Sequence, residues 1–151
     1  MPWSQRIYLV ASELANANVF EFPVRVYYED TDSGGVVYYA NYLKFLERAR
    51  TEMLRSLGIE QDRLIAEESI IFAVRSANID YLRPARFNEL LVATAQVKKL
   101  GKASVLFLQE VRKAHAPSLV CVRAEVKIAC LDAVRMTPTP LPLLMLECLK
   151  L

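Results

Sequence analysis

Residues 28–42 read YEDTDSGGVVYYANY. The stretch places three carboxylates (Glu29, Asp30, Asp32), a glycine pair (Gly34, Gly35) and neighbouring tyrosines (Tyr38, Tyr39) between segments of different period. Upstream, Phe20, Phe22, Val24 and Val26 alternate with Glu21, Arg25 and Glu29, which predicts a half-buried strand from Phe20 to Glu29. Downstream, Tyr42, Phe45, Leu46, Ala49, Met53 and Leu57 recur at helical spacing, with Lys44, Arg48, Glu52 and Arg55 largely on the other side. Asn41 suits an N-cap and Gly58 a C′ terminator, so a helix is expected over 41–57. The whole chain holds four glycines. Two of them together mark a sharp turn or a close approach of backbone to a ligand.

Working outward, a short helix is expected over Gln61–Glu68 and strand-like sequence from Ile70 to Tyr81, ending at Arg83-Pro84. Leu91–Lys99 alternates, Gly101-Lys102 signals a hairpin, and Ala103–Arg112 follows as its partner. Ala116-Pro117-Ser118 reads as the next turn. Val120–Cys130 then sets Val120, Val122, Ala124, Val126, Ile128 and Cys130 on one face. Pro138, Pro140 and Pro142 predict an extended tail that ends in a short turn of helix. Residues 1–19 read as an appended arm and 20–151 as a single domain. One strand, one long helix and four strands on short connections make an α+β chain with an antiparallel sheet covering the helix.

The 151 residues suffice for one core. The hydrophobic fraction of 54% and mean hydropathy of +0.19 are high, and we read the surplus as surface buried between subunits. Apolar runs are short and interrupted, so no membrane span is expected. A net charge of +2 without a clustered basic face does not suggest nucleic acid. Cys121, Cys130 and Cys148 are odd in number and lack CxxC spacing, so neither disulfide nor zinc framework is expected, and Cys130 reads as a buried thiol. With no secretory signature at the start, the expected compartment is the cytoplasm.

Asp32 lies nearest the glycines. Aspartates in such turns often serve only to bond nearby N–H groups. The alternative is a carboxylate facing a cleft, as nucleophile or as general base for water. Peptide N–H groups near Tyr38, Tyr39 and Ala40 are candidates to polarise a bound carbonyl, where one donor contributes about 2.7–4 kcal/mol in the transition state. Ordinary capping by Asn41 is the rival reading. Tyr38 and Tyr39 suit a pocket wall or a core; Tyr42, on the apolar helix face, suits the core. The sole histidine, His115, falls in a turn remote from the motif, which argues against Ser-His-Asp and Cys-His chemistry and against a histidine metal site.

VYYEDTDSGGVVYYANYLKFLERARTEMLRSLGI closely resembles the signature of the 4-hydroxybenzoyl-CoA thioesterase family, over roughly residues 20–140, and looks most like its Tol–Pal-associated short-chain acyl-CoA thioesterases. The resemblance implies a hotdog fold, a long helix wrapped by a five-stranded antiparallel sheet, in dimers or in dimers paired into tetramers. It implies hydrolysis of an aliphatic or aromatic acyl-CoA to free CoA and a carboxylic acid, with no cofactor, since coenzyme A is part of the substrate. Asp32 matches the catalytic aspartate, either attacking the carbonyl to give a mixed anhydride or activating water. The Tyr39 N–H matches the donor to the thioester carbonyl. Many of the Tol–Pal-associated members carry histidine at that position, and the 4-hydroxybenzoyl-CoA enzymes carry tyrosine. Gly35, Val36, Tyr38 and Asn41 match substrate-binding motif positions. Lys99 and Lys102, with Arg123 or Lys127, are candidates for the CoA phosphates, from this or a neighbouring subunit. The rival readings are a non-catalytic acyl-CoA or acyl-carrier-protein binder or scaffold and, more weakly, a hotdog 3-hydroxyacyl dehydratase, which relies on an active-site histidine.

Overall fold

A computed structural model describes residues 19–149. The arm expected over 1–19 therefore lies, apart from Val19, outside the described residues. The elements run β1 (Phe20–Arg25), α1 (Asn41–Ser56), α2 (Gln61–Glu68), β2 (Ile70–Tyr81), β3 (Leu90–Leu100), β4 (Ser104–Lys113), β5 (Ala116–Asp132) and α3 (Leu143–Cys148). The described strands form one five-stranded sheet in the order β1-β3-β4-β5-β2, antiparallel throughout. This bears out the α+β expectation. No helix among the described residues is long and apolar enough to cross a membrane.

The period-3.6 stripe of α1 explains the packing. Tyr42, Phe45, Leu46, Ala49 and Leu54 are buried against Leu91, Ala93 and Ala95 of β3 and Val105, Phe107 and Val111 of β4. Arg50 is buried on the same face. Its position, four after Leu46, lies within the stripe; a reading by residue type alone misses it. At the helix end Gly58 has φ +82°, with its N–H bonded to Arg55 C=O and that of Ile59 to Leu54 C=O. These paired bonds make a Schellman cap, as the sequence predicts.

Three expectations need correction. The first strand stops at Arg25, and Tyr28–Asp30 forms a single 3₁₀ turn. The cause is Asp30, whose Oδ2 accepts the Tyr27 N–H at 2.7 Å and draws the chain out of the sheet. Asn41 is the first helical residue rather than the N-cap, a place taken by Ala40. The turn expected at 116–118 falls at Ala114–His115 instead, and β5 begins at Ala116. Pro117 sits where the register slips between the pairs Arg112–Val120 and Lys113–Ala116, so its missing N–H breaks no regular ladder bond.

Cys121 and Cys130 are fully buried. Burial raises both thiols, that of Cys130 to about 11, which leaves it inert as expected. Because Gly58 alone absorbs a left-handed turn at the end of the packed helix, Gly58→Ala is expected to lose about 1–2 kcal/mol. Chemical denaturation of the two proteins, with matched slopes, measures it.

Candidate active site

The segment between β1 and α1 is a small hairpin. Gly35 N–H donates to Asp32 C=O at 3.0 Å and Asp32 N–H to Val36 C=O at 2.9 Å. Gly35 closes the turn with φ +75°, a conformation that leaves glycine favoured. Gly34 is constrained differently: a Cβ there would stand 3.1 Å from Asp32 Oδ1. That oxygen accepts the Gly34 N–H at 2.8 Å. The glycine pair thus fixes both the turn and the placement of the Asp32 carboxylate, which is exposed in the single chain rather than enclosed.

The hairpin is tied down at its base. Thr31 bridges to Val37 and Val36 to Arg86, and Val37 N–H donates to Ala85 C=O at 2.8 Å. Asp30 C=O accepts two donors, the Tyr38 N–H and Asn41 Nδ2, each at 2.9 Å. Asn41 therefore holds the loop, and does so without capping the helix. Tyr38 N–H is used up by this bond. Among the described residues, the N–H groups of Tyr39 and Ala40 have no acceptor. These are orphan donors at the opening of a helix, the place where an electronegative oxygen is best received.

Aromatic rings build the rest. Tyr38 and Tyr39 are 44% and 61% exposed, with centroids 4.8 Å apart, so they form a surface wall and not a core. Tyr42 is buried, as expected. Its hydroxyl accepts the Ala85 N–H at 3.1 Å, and burial pushes its phenol up to about 12, so it remains protonated. Tyr81, at the end of β2, packs edge-on to both Tyr39 and Tyr42 and donates its hydroxyl to Tyr39 C=O at 3.0 Å. Sequence reading placed Tyr81 only as a strand terminus; nothing in its spacing signals a contact across 42 residues.

The cationic candidates lie elsewhere. Lys99 and Lys102 are exposed at the β3–β4 hairpin, whereas Asp32 is next to the other end of β3. Eleven residues of strand separate the ends by about 33 Å. Arg123 pairs with Glu110 at 3.0 Å on β4, and Lys127 faces Ser76 in the ladder. One chain does not bring Lys99 or Lys102 to the glycine turn.

The Ala85–Glu89 loop that anchors Val36 and Val37 is itself held by charge. Lys113 Nζ, nearly buried, donates to Pro84 C=O at 3.1 Å and pairs with the Glu89 carboxylate. Partial burial alone would raise the Glu89 carboxyl; hydrogen bonds from Lys113 and the Arg86 N–H outweigh it and hold the group below its ordinary 4.5. A carboxyl depressed in the folded state adds stability that is complete above the unfolded value and fades as pH falls through the folded one. Glu89→Gln is therefore expected to melt lower than wild type at pH 7, with the gap closing below pH 4.5. Paired thermal melts across that range test it.

Known proteins resemble this chain in sequence and in fold. The thioesterase superfamily model matches residues 34–120. The acyl-CoA thioesterase YbgC of Haemophilus influenzae is 46% identical over 125 residues, covering 83% of this chain and 90% of that protein. A crystal structure of a probable thioesterase from Bartonella henselae superposes with a TM-score of 0.77 at 35% identity, covering 82% of this chain and 99% of the other. A variant of 4-hydroxybenzoyl CoA thioesterase, complexed with 4-hydroxybenzoyl CoA, superposes at 0.80 with 18% identity, over 88% of this chain and 99% of that one, a likeness of fold alone. The long helix against five antiparallel strands is the hotdog arrangement. With the glycine pair, the helix opening and most of the sheet inside the matched region, this chain belongs to the thioesterase superfamily.

Proposed function

We propose that this chain hydrolyses acyl-CoA thioesters to free CoA and a carboxylic acid. The observation that carries the reading is the pairing, on one tethered hairpin, of an ionisable Asp32 with the unpartnered Tyr39 and Ala40 N–H groups. The thioester carbonyl sits at the helix opening, where those donors stabilise the oxyanion. Asp32 attacks the carbonyl carbon, expelling CoA thiolate and giving a mixed anhydride that water then cleaves to the acid and free Asp32, or it takes a proton from a water that attacks the carbonyl directly. Tyr38 and Tyr39 flank the acyl group. The ordinary acidity of a thiol leaving group means that no histidine is needed to expel it. Coenzyme A is part of the substrate and no cofactor takes part.

An exposed carboxylate needs a second wall. The outer edge of β2, twelve residues long, has no strand partner among the described residues, and pairing with a second copy there buries an edge that otherwise invites indiscriminate pairing. A homodimer, or a tetramer made of two such dimers, also supplies Lys99 and Lys102 from a neighbour to the CoA phosphates, which one chain's geometry forbids. Free thiols at Cys121, Cys130 and Cys148 support a cytoplasmic setting. The subgroup resemblance extends the proposal to an association with the Tol–Pal system.

One observation favours a second reading. Asp32 Oδ1 already serves the Gly34 N–H, as a purely turn-forming aspartate does. On that reading the chain binds an acyl-CoA or acyl carrier protein without turning it over. Asp32→Asn separates the two, because an asparagine oxygen still accepts the Gly34 N–H and keeps the turn. Thiol release from a panel of aliphatic and aromatic acyl-CoAs is expected to fall about 10²–10⁴-fold in this variant while CoA binding persists. Wild type that releases no thiol across the panel rules the hydrolase out, and a variant as active as wild type rules out the catalytic role of Asp32.

A further inference from the structure

Halfway along α1 the molecule holds a different kind of place. Arg50 is 8% exposed, and its side chain lines an open-mouthed cavity of about 100 Å³ between α1, α2, α3 and the sheet. Phe72, Phe107, Ile128 and Met145 give the cavity an apolar wall. Thr51 and Gln61 lie on its polar side, already bonded to each other at 3.2 Å. The one carboxylate of the lining, Glu47, is exposed and beyond ion-pair distance of the guanidinium.

The buried cation thus has a neutral partner only. Arg50 Nη1 donates to Gln109 Oε1 at 2.8 Å, and Gln109 Nε2 is spent on the carbonyls of Leu46 and Thr94. Among the described residues, Arg50 has no other acceptor, yet none of its nitrogens is both sealed and unpartnered. Its remaining N–H groups are therefore not sealed, and the side chain that carries them lines the cavity. Taking an unpaired ion out of water costs several kcal/mol, which a bound anion offsets. A guanidinium presents two parallel N–H groups that match a carboxylate better than a spherical ion. Size limits the rest: a cavity of about 150 Å³ holds benzene, so this one takes a chain of about three or four carbons.

We propose that this cavity binds a short aliphatic carboxylate, its head on Arg50 and its alkyl chain against Phe72, Phe107, Ile128 and Met145. The site is distinct from the glycine hairpin of its own chain, since nine residues of helix put Arg50 about 13 Å along the axis from Asn41. Short acids are also what the proposed hydrolysis releases; that clause alone rests on the enzyme reading, and the binding chemistry does not.

The test is calorimetric titration of the full-length protein with sodium butyrate, with butyramide as its neutral isostere and thermal melts alongside. Butyrate is expected to bind and raise the melting temperature, and butyramide to bind at least tenfold more weakly. Arg50→Met is expected to abolish butyrate binding, and Asp32→Asn to leave it intact. Should Arg50→Met fail to fold, Val74→Phe at the half-exposed mouth is expected to block entry at little risk to the core. Absence of butyrate binding, equal binding of the amide, undiminished binding in folded Arg50→Met or in Val74→Phe, or its loss in Asp32→Asn overturns the proposal. Binding is read without turnover, so an inactive protein that binds butyrate sinks the hydrolase and spares this site, and an active one that does not bind it does the reverse.

Discussion

Two donors converge on one carbonyl, that of Asp30. The Tyr38 peptide and the Asn41 side chain both bond to it, while the Asp30 carboxylate turns back to the Tyr27 N–H. Together these bonds stitch the end of β1 to the start of α1 across the glycine turn. The helix enters the sheet at an angle fixed by that stitch, and the Tyr38 donor is consumed in making it. What remains free is set by subtraction: the next two amides, which open the helix, have nothing to bond. The chemistry proposed at the site is therefore a by-product of how the loop is closed.

Much of this was legible in the residue order. The stripe Tyr42, Phe45, Leu46, Ala49 dictates one helix face, and alternation in 91–97 and 120–130 dictates the strands it buries against, because period and burial are linked by geometry alone. Asp30 and Asp32 were not separable in that way. Both precede the glycines, yet one carboxylate is buried as a loop brace and the other is exposed. Which aspartate turns inward depends on the 3₁₀ turn that ends β1 early, a tertiary outcome. The Pro117 misreading has the same root. Proline marks a turn in most contexts, but a slip in the β4–β5 ladder supplies an equally good place for a missing N–H.

Arg50 shows the limit of pattern reading most clearly. Helical period placed a residue on the core face; its type argued for solvent. The structure sides with the period and compensates with Gln109, an amide that reaches from β4 to satisfy the helix backbone, the β3 backbone and the guanidinium at once. Such a network specifies the register between helix and sheet, since a shift of either by one position leaves buried polar groups stranded.

The Tyr81 contact carries one more consequence. Its hydroxyl grips the carbonyl oxygen of the peptide linking Tyr39 to Ala40, and in a trans peptide the amide hydrogen lies on the opposite edge. Withdrawing electron density at the oxygen makes that hydrogen more acidic and a stronger donor. A phenol on the rim of the sheet thus primes, from behind, an N–H it never touches.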